Sequence, residues 1–513
     1  MPADYTVAID WSGNGDFNGV GENVTARVLD RGSGLTAQYG RDQARALSPL
    51  SPGEARLELN NDSRDYSPDY AASPLAGLVR PGRPVKITAT LNAVDYGLFR
   101  GHLDDFDILP DINARSVSAS CLDALAKLKG VNISTGLYDA RRSGEIVALI
   151  LDAVGWPTDA RDLDLGATLV PWWWVENQDA YEALMAIVDS EGPAALVSVD
   201  IDRTFIFRDR HHRLTRTAST TVQATFRDAG AEPLLSPPMT YDHGWRDIVN
   251  TVAFSVPDRA LAAAESTVWE MEGQRTITDG ETLAVTAVAT SPFRSAITPE
   301  AGTDFTLLSG VVTVSLSRTS GQSTTIYFTA TGGPATIADL QLRAYSLETR
   351  GTVVVSAEDT ASIAEHGRRS MPSSRDPVWA NQYDAQAIAD LIIGQRANRL
   401  PIVTATLVGG NDIRLLHQLS RDLSDRVRIV ETQTGLDDEF YIERIEHAVT
   451  DLRHVTRFGC EKVATQVDNA LRFDVAGRGF NDGAFGAIGL DDPDLIMRFD
   501  VAGRGFNDGL FAY

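Results

Sequence analysis

Three consecutive indoles, Trp172-Trp173-Trp174, are the residues best suited to stacking on a sugar or a nucleobase. On an extended segment Trp172 and Trp174 share one face, and that face is expected to cover an adjacent helix pair. Asp10 to Gly21 offers calcium-type oxygens from Asp10, Ser12, Asn14, Asp16 and Asn18. The bidentate glutamate of such a loop should stand twelfth, where this chain has Gly21, so an Asx-rich turn is expected and no metal site. Asp104, Asp105 and Asp107 contain the makings of a glycosidase carboxylate pair. Neighbouring residues of a strand face opposite ways, however, and a solvated or lumen-facing acidic strand is expected. His211-His212, in a loop rich in Arg and Asp, reads as a surface turn.

Signatures of catalysis are missing. No His precedes a Glu, which removes HExxH, and no Gly-Lys pair exists, which removes the phosphate-binding P-loop. GxSxG is absent as well. Gly13 to Gly19 and Gly477 to Gly483 have GxGxxxG spacing instead of GxGxxG, and both read as turns. The chain is therefore read as no enzyme, with no catalytic residue, cofactor or metal.

Elements that would position any site come in blocks. The chain has 513 residues, enough for about three or four domains. The first 130 residues alternate as strands, in Arg56-Leu57-Glu58-Leu59, Val85-Lys86-Ile87-Thr88 and Val117-Ser118-Ala119-Ser120. Pro- and Gly-rich turns lie between them, so a sandwich or barrel is expected. Residues 131–225 form an α+β module. Ser143 caps one helix that carries Ile146, Leu149 and Ile150, and Asn177 caps a second that stops at Gly192. A hairpin turns at Asp200 to Arg203. Residues 226–257 are read as strand joining two larger units, ending at Pro257. Residues 258–375, rich in Thr, Ser and Val, read as an inserted β-sandwich. Residues 376–465 mix strands with helices over Asp384 to Gln395 and Asp412 to Leu423. The class is mainly β with α+β modules.

Charge and cysteine use narrow the role. Forty-six basic and 70 acidic side chains give −24. A chain so acidic repels nucleic acid overall, and no Arg cluster forms a stripe. Cys121 and Cys460 are too far apart in sequence to make a CxxC pair or a disulfide framework. The N-terminus has neither the basic nor the apolar part of a signal peptide, so a soluble, non-secretory protein is expected, without membrane anchoring.

Two internal repeats are present. Gly101 to Cys121 and Tyr441 to Cys460 each read as a strand, a turn and a second strand ending in cysteine. They suggest two related barrels, each closed by a long hairpin. The second repeat is unmistakable: Arg-Phe-Asp-Val-Ala-Gly-Arg-Gly-Phe-Asn-Asp-Gly stands at 472–483 and, unchanged, at 498–509. Identical peptides suggest identical receptor sites, so Arg472, Phe473, Asp474, Phe480 and Asn481, with Arg498, Phe499, Asp500, Phe506 and Asn507, are taken as partner-binding residues. Linking two copies raises the effective concentration of the second once the first has bound.

Short motifs spread over residues 5 to 465 resemble the baseplate hub, or minor tail, proteins of tailed bacteriophages, also found in prophages and contractile injection systems. Those of the first barrel are Asp10-Trp11, Asn23-Val24-Thr25, Tyr39-Gly40-Arg41, Leu57 to Asn61, Tyr66-Ser67-Pro68, Pro81 to Val85 and Leu98 to Gly101. Ala338 to Ala344 resembles a strand of the inserted domain. Asp359 to Ile363 with His366-Gly367-Arg368 resembles the return into the second barrel. Residues 466–513 lie outside the resemblance.

The resemblance implies two tail-tube-like β-barrels, at 1–130 and 376–465, in a homotrimer whose six barrels form a pseudo-sixfold ring. Such a ring continues the tail tube and adapts it to threefold tip proteins in the virion, after synthesis in the host cytoplasm. It implies tube proteins above, other minor tail proteins below, and DNA or a tape-measure protein passing through without sequence-specific binding. Three chains would carry 3 × −24 = −72 charges, which lets DNA slide. The competing readings are a cell-wall-degrading tail enzyme, for which no catalytic pair is found, and a tail-tip adhesin using the inserted sandwich, which holds few aromatics.

Overall fold

The computed structural model describes residues 3–29, 34–42, 44–110, 115–230, 233–371, 376–450 and 453–464. Both copies of the duplicated peptide lie outside the described residues, and with them Arg472 to Asn481 and Arg498 to Asn507. The chain is mainly β, with α+β modules.

Six strands build the first sheet: β1 (Asp4–Ile9), β2 (Leu35–Arg41), β3 (Leu50–Asn60), β4 (Pro84–Leu91), β5 (Val94–Pro110) and β6 (Arg115–Asp123). Their order in space is β1-β4-β5-β6-β3-β2, antiparallel throughout. Period-two patterning drives it. In β4 the buried side chains are Val85, Ile87, Ala89 and Leu91, while Lys86, Thr88 and Thr90 point away. Leu57, Leu59, Val117 and Ala119 join them in one core around which the sheet curls. Residues 22–28 fill the space beside β1. Val24 N–H donates to Val7 O at 2.9 Å, Ile9 N–H to Glu22 O at 2.8 Å, and Val28 bridges to Leu59.

Two helices follow, α1 (Ser143–Ala153) and α2 (Ala180–Glu191). They pack Ile146, Val147, Ile150, Leu184 and Ile187 into one core with Phe205 and Phe207 of the hairpin Leu196–Val199 and Phe205–Arg208. Ser143 is no cap. It lies inside the helix, fully buried, with its hydroxyl donating to Glu191 at 2.5 Å, and Glu145 accepts from Arg142 N–H at 2.8 Å instead. Asp179, not Asn177, caps α2, accepting from Tyr181 and Glu182 N–H at 2.9 and 3.1 Å. Gly192, at φ +99, ends it.

The second sheet starts before the inserted region and resumes after it. Its strands are β7 (Val222–Arg227) and β8 (Thr240–Asp242), then β11 (Ile402–Val408), β12 (Arg426–Glu431), β13 (Leu436–Thr450) and β14 (Arg453–Lys462). Between them run β9 (Thr251–Leu261) and β10 (Ala335–Glu358), then helix α3 (Gln382–Arg396); α4 (Asp412–Ser420) links β11 to β12. The segment 226–257, expected only to join the barrels, therefore supplies β8 and the end of β7 to the second sheet. Short strands such as Thr240–Asp242 give too few residues for alternation to reveal them.

β9 does not stop at Pro257. Pro257 sits opposite Thr352, and among the described residues no strand lies along the other side of β9 at that point, where a missing N–H costs no ladder bond. β10 is one strand of 24 residues: Ala335–Ala344 pairs with Ser266–Ile277 in the sandwich, and Leu347–Glu358 pairs with β9. The sandwich core holds Phe293, Phe305, Ile326, Phe328, Leu340 and Leu342. Val252, Phe254 and Val256 of β9 pack on Ala385, Ile388, Ala389 and Ile392 of α3.

Candidate assembly interface

The two sheets repeat one design. In the second the spatial order is β7-β12-β13-β14-β11-β8, so in both sheets the first, fourth, fifth, sixth, third and second strands lie side by side. Their hairpins match residue for residue. Leu103 stands opposite Cys121 and Ile442 opposite Cys460, and in each case one extra residue, Asp104 or Glu443, bulges before pairing resumes at Asp105–Ser120 or Arg444–Gly459. One difference is the first strand, antiparallel to the fourth in the first sheet and parallel in the second.

The sheets join edge to edge. β2 lies along β13 from Leu35–Val449 to Gly40–Arg444, making one 12-stranded sheet. Gly40, at φ +110, allows the approach, because a Cβ there would lie 2.4 Å from Glu443 O. The side chain of α4 residues Leu415 and Leu419 enters the core of the first sheet, while Gln418 donates to Leu407 O and His454 O at 2.9 and 3.0 Å.

Buried charge secures this junction. Arg41 Nε lies 3.0 Å from Glu443 Oε2, and Arg213 Nη2 2.7 Å from Glu443 Oε1. Arg41 also donates to Ser48 O and Ala195 O, at 2.9 and 2.8 Å. Burial opposes charge on Glu443, but Arg213 and Arg41 outweigh it and hold its carboxyl below the ordinary range. Arg396 of α3 makes a two-pronged pair with Glu461, at 2.6 and 2.8 Å. Further along, His447 Nδ1 and His454 Nε2 are 3.0 Å apart, with Thr456 Oγ1 at 3.2 Å from each. Burial keeps both rings neutral: His447 is well below the usual imidazole range and His454 falls to about 4.

The matching edge in the first sheet has no such cover. Gly82 and Arg83 pair with Leu103, and beyond it, among the described residues, no strand lies along the outer edge of Asp104–Pro110. Asp104, Asp105, Asp107, Leu109 and Pro110 are exposed, whereas Phe106 turns inward against Trp11 and Tyr66. The acidic strand is thus an open sheet edge.

Other sequence candidates are spoken for. Asp10 accepts from Ser12 Oγ at 2.9 Å and from the N–H groups of Gly13, Asn14 and Gly15 at 2.5, 3.3 and 2.9 Å. Burial raises its pKa, but these bonds prevail and hold it low, so its oxygens serve the turn. Among the described residues no three His, Cys, Asp or Glu side chains gather in a group able to hold a metal ion. The expected face of the tryptophan run is reversed. Trp173 is the buried one, stacked on Tyr138 at 6.1 Å, while Trp174 meets Trp379 edge-on at 5.3 Å and Trp172 lies under Arg294 at 5.0 Å. His211-His212 is no surface turn either. His212 is buried, with Nδ1 at 2.7 Å from Asp209 O and Nε2 at 2.9 Å from Ser424 Oγ. Both cysteines are buried and free.

Sequence reasoning missed the Arg41–Glu443 junction, because its members are far apart in the chain. The signal the sequence does hold is a glycine at the matching place in each sheet, Gly40 near the end of β2 and Gly244 two residues past the end of β8, and in the structure both take positive φ, +110 and +72.

No protein-family model and no curated protein matches this chain. Solved structures similar to it include a tail protein from Neisseria meningitidis, 10% identical, TM-score 0.48, covering 90% of this chain and 97% of that one. A prophage tail protein from Shewanella oneidensis is 13% identical, TM-score 0.47, covering 89% and 98%. A prophage tail protein from Listeria monocytogenes is 8% identical, TM-score 0.39, covering 90% and 95%.

Proposed function

We propose that this chain is a structural hub subunit of a phage tail tip. The observation that carries the reading is the tandem of two sheets with one strand order, fused edge to edge through β2 and β13. A subunit that presents two equivalent units side by side can give a ring six units from three copies, matching a sixfold tube on one side and threefold partners on the other. The surplus of acidic over basic side chains, −24 per chain, supports a passage through which DNA or an extended protein slides without sticking. The subunit performs no chemistry, and the duplicated C-terminal peptides dock it to a neighbouring tail protein.

Mass measurement and electron imaging of the purified protein test the reading. Particles of about three times 55.5 kDa with a central hole are expected. Monomers alone at every concentration, or compact particles without a hole, would refute it.

A further inference from the structure

A sheet that covers one edge of a repeated unit and leaves its twin open has a built-in instruction for a neighbour. Within the chain, Leu35–Gly40 covers the outer edge of Arg444–Val449. The two hairpins correspond position by position, so Arg444–Val449 is the counterpart of Asp105–Pro110. Pairing with the third strand likewise makes Thr240, Tyr241 and Asp242 the counterparts of Thr36, Ala37 and Gln38. Among the described residues β8 is paired on one side only, to β11.

We infer that the open edge of Asp105–Pro110 receives Met239–Gly244 of a second copy of this chain, in the register that Leu35–Gly40 takes on Arg444–Val449. Thr240 then faces Leu109, Tyr241 faces Ile108 and His243 faces Phe106. The inference rests on the ring proposed above and names the surfaces that close it.

Chemistry on both sides agrees. Unpaired N–H and C=O groups on an exposed strand favour addition of another strand. Leu109 and Trp245 are large apolar side chains left 49% and 50% exposed, and each sits at one of the two edges. The open edge carries Asp104, Asp105 and Asp107. Around β8 stand Arg246, Arg399, whose Nη1 is 2.8 Å from His243 Nδ1, and Arg369, which donates to Trp245 O. Asp107 faces Asp242 in this register, and Asp242 shares Arg45, at 3.8 Å, with Asp247 at 2.8 Å. The contact is head-to-tail, so each copy uses both surfaces and the chain of contacts can close.

The test is a paired-cysteine variant of the full chain, Leu109→Cys with Thr240→Cys; the native thiols are buried and stay out of the reaction. Mild oxidation should give covalent species that stop at three chains, and neither single variant should give any beyond background. A second variant, Asp105→Lys with Asp107→Lys, should weaken association at least about tenfold at low salt while leaving the melting curve of the subunit in place. Three-chain rings that never cross-link at this pair and ignore the charge reversal would overturn the inferred contact and leave the ring itself standing. A chain that remains monomeric would overturn both.

Discussion

Arg41 and Glu443, one from each sheet, meet at 3.0 Å where β2 runs beside β13, and Arg213 closes on the second carboxylate oxygen. All three are nearly inaccessible to solvent. Removing the carboxylate leaves two buried guanidinium groups facing each other. Glu443→Gln should therefore cost about 3–5 kcal/mol of stability, read as a lower denaturant midpoint. Because the folded pKa of Glu443 is lowered, its contribution is complete above the unfolded carboxylate range. It fades as pH falls through the folded value, and the variant should lose that acid-side slope. An unchanged midpoint would show that the junction stands without the pair.

The His447–His454 pair has its own signature. Both rings are neutral when folded and gain protons near pH 6.5 when unfolded, so stability is complete above about 6.5 and declines toward about 4. The slope should reach roughly 1 kcal/mol per pH unit for each ring. Asp123, pushed up to about 7 by burial, acts in the opposite sense over part of that range. The rings' share is therefore the difference between wild type and His454→Gln, followed by urea titration at several pH values. Parallel curves for the two proteins would exclude it.

Cys121 and Cys460 should be inert. Burial pushes the Cys121 thiol up to about 12 and the Cys460 thiol higher still. At pH 8 a small thiol reagent should label neither in the native protein and both after denaturation. Rapid labelling of either in native protein would contradict the packing around it.

The three tryptophans should separate cleanly. Trp173→Ala removes a fully buried indole and should cost about 3–5 kcal/mol in a thermal or chemical melt. Trp172→Ala, at a half-buried position, should cost less than half of that. Equal losses would mean that the run is packed differently.

For the duplicated peptides, Phe480→Ala and Phe506→Ala should each weaken tail assembly, and the pair should cost far more than either alone. Infectivity of reconstituted particles is the measure. A chain ending at Asp468 that still assembles complete, infective tails would remove the docking role.

Much of this was legible in the sequence. The hairpin ending in Cys121 was visible because its returning strand alternates through Val117, Ala119 and Cys121, whereas the bulges at Asp104 and Glu443 interrupt the pattern of the strands they face. Helices α3 and α4 were expected over Asp384 to Gln395 and Asp412 to Leu423 and are found over Gln382–Arg396 and Asp412–Ser420. The tryptophan face was not legible, since three identical side chains carry no alternation. His212 was misread because its partner Ser424 is remote in sequence, and no local pattern announces a contact of that span. β8 was hidden by its length.

β10 has a mechanical meaning. A single strand of 24 residues spans roughly 80 Å if fully extended, and it passes from the sandwich into the ribbon on which α3 rests without an intervening loop. β9 also enters the sandwich at that end, since Leu261 pairs with Leu347 and Ser266 next pairs with Ala344, so a load pulling the sandwich outward is carried by both strands of the ribbon as tension along their length. The inserted domain is thus mounted on a stiff rod, and a force received at the sandwich is delivered to α3 and, through Arg396 and Glu461, to the last strand of the second sheet.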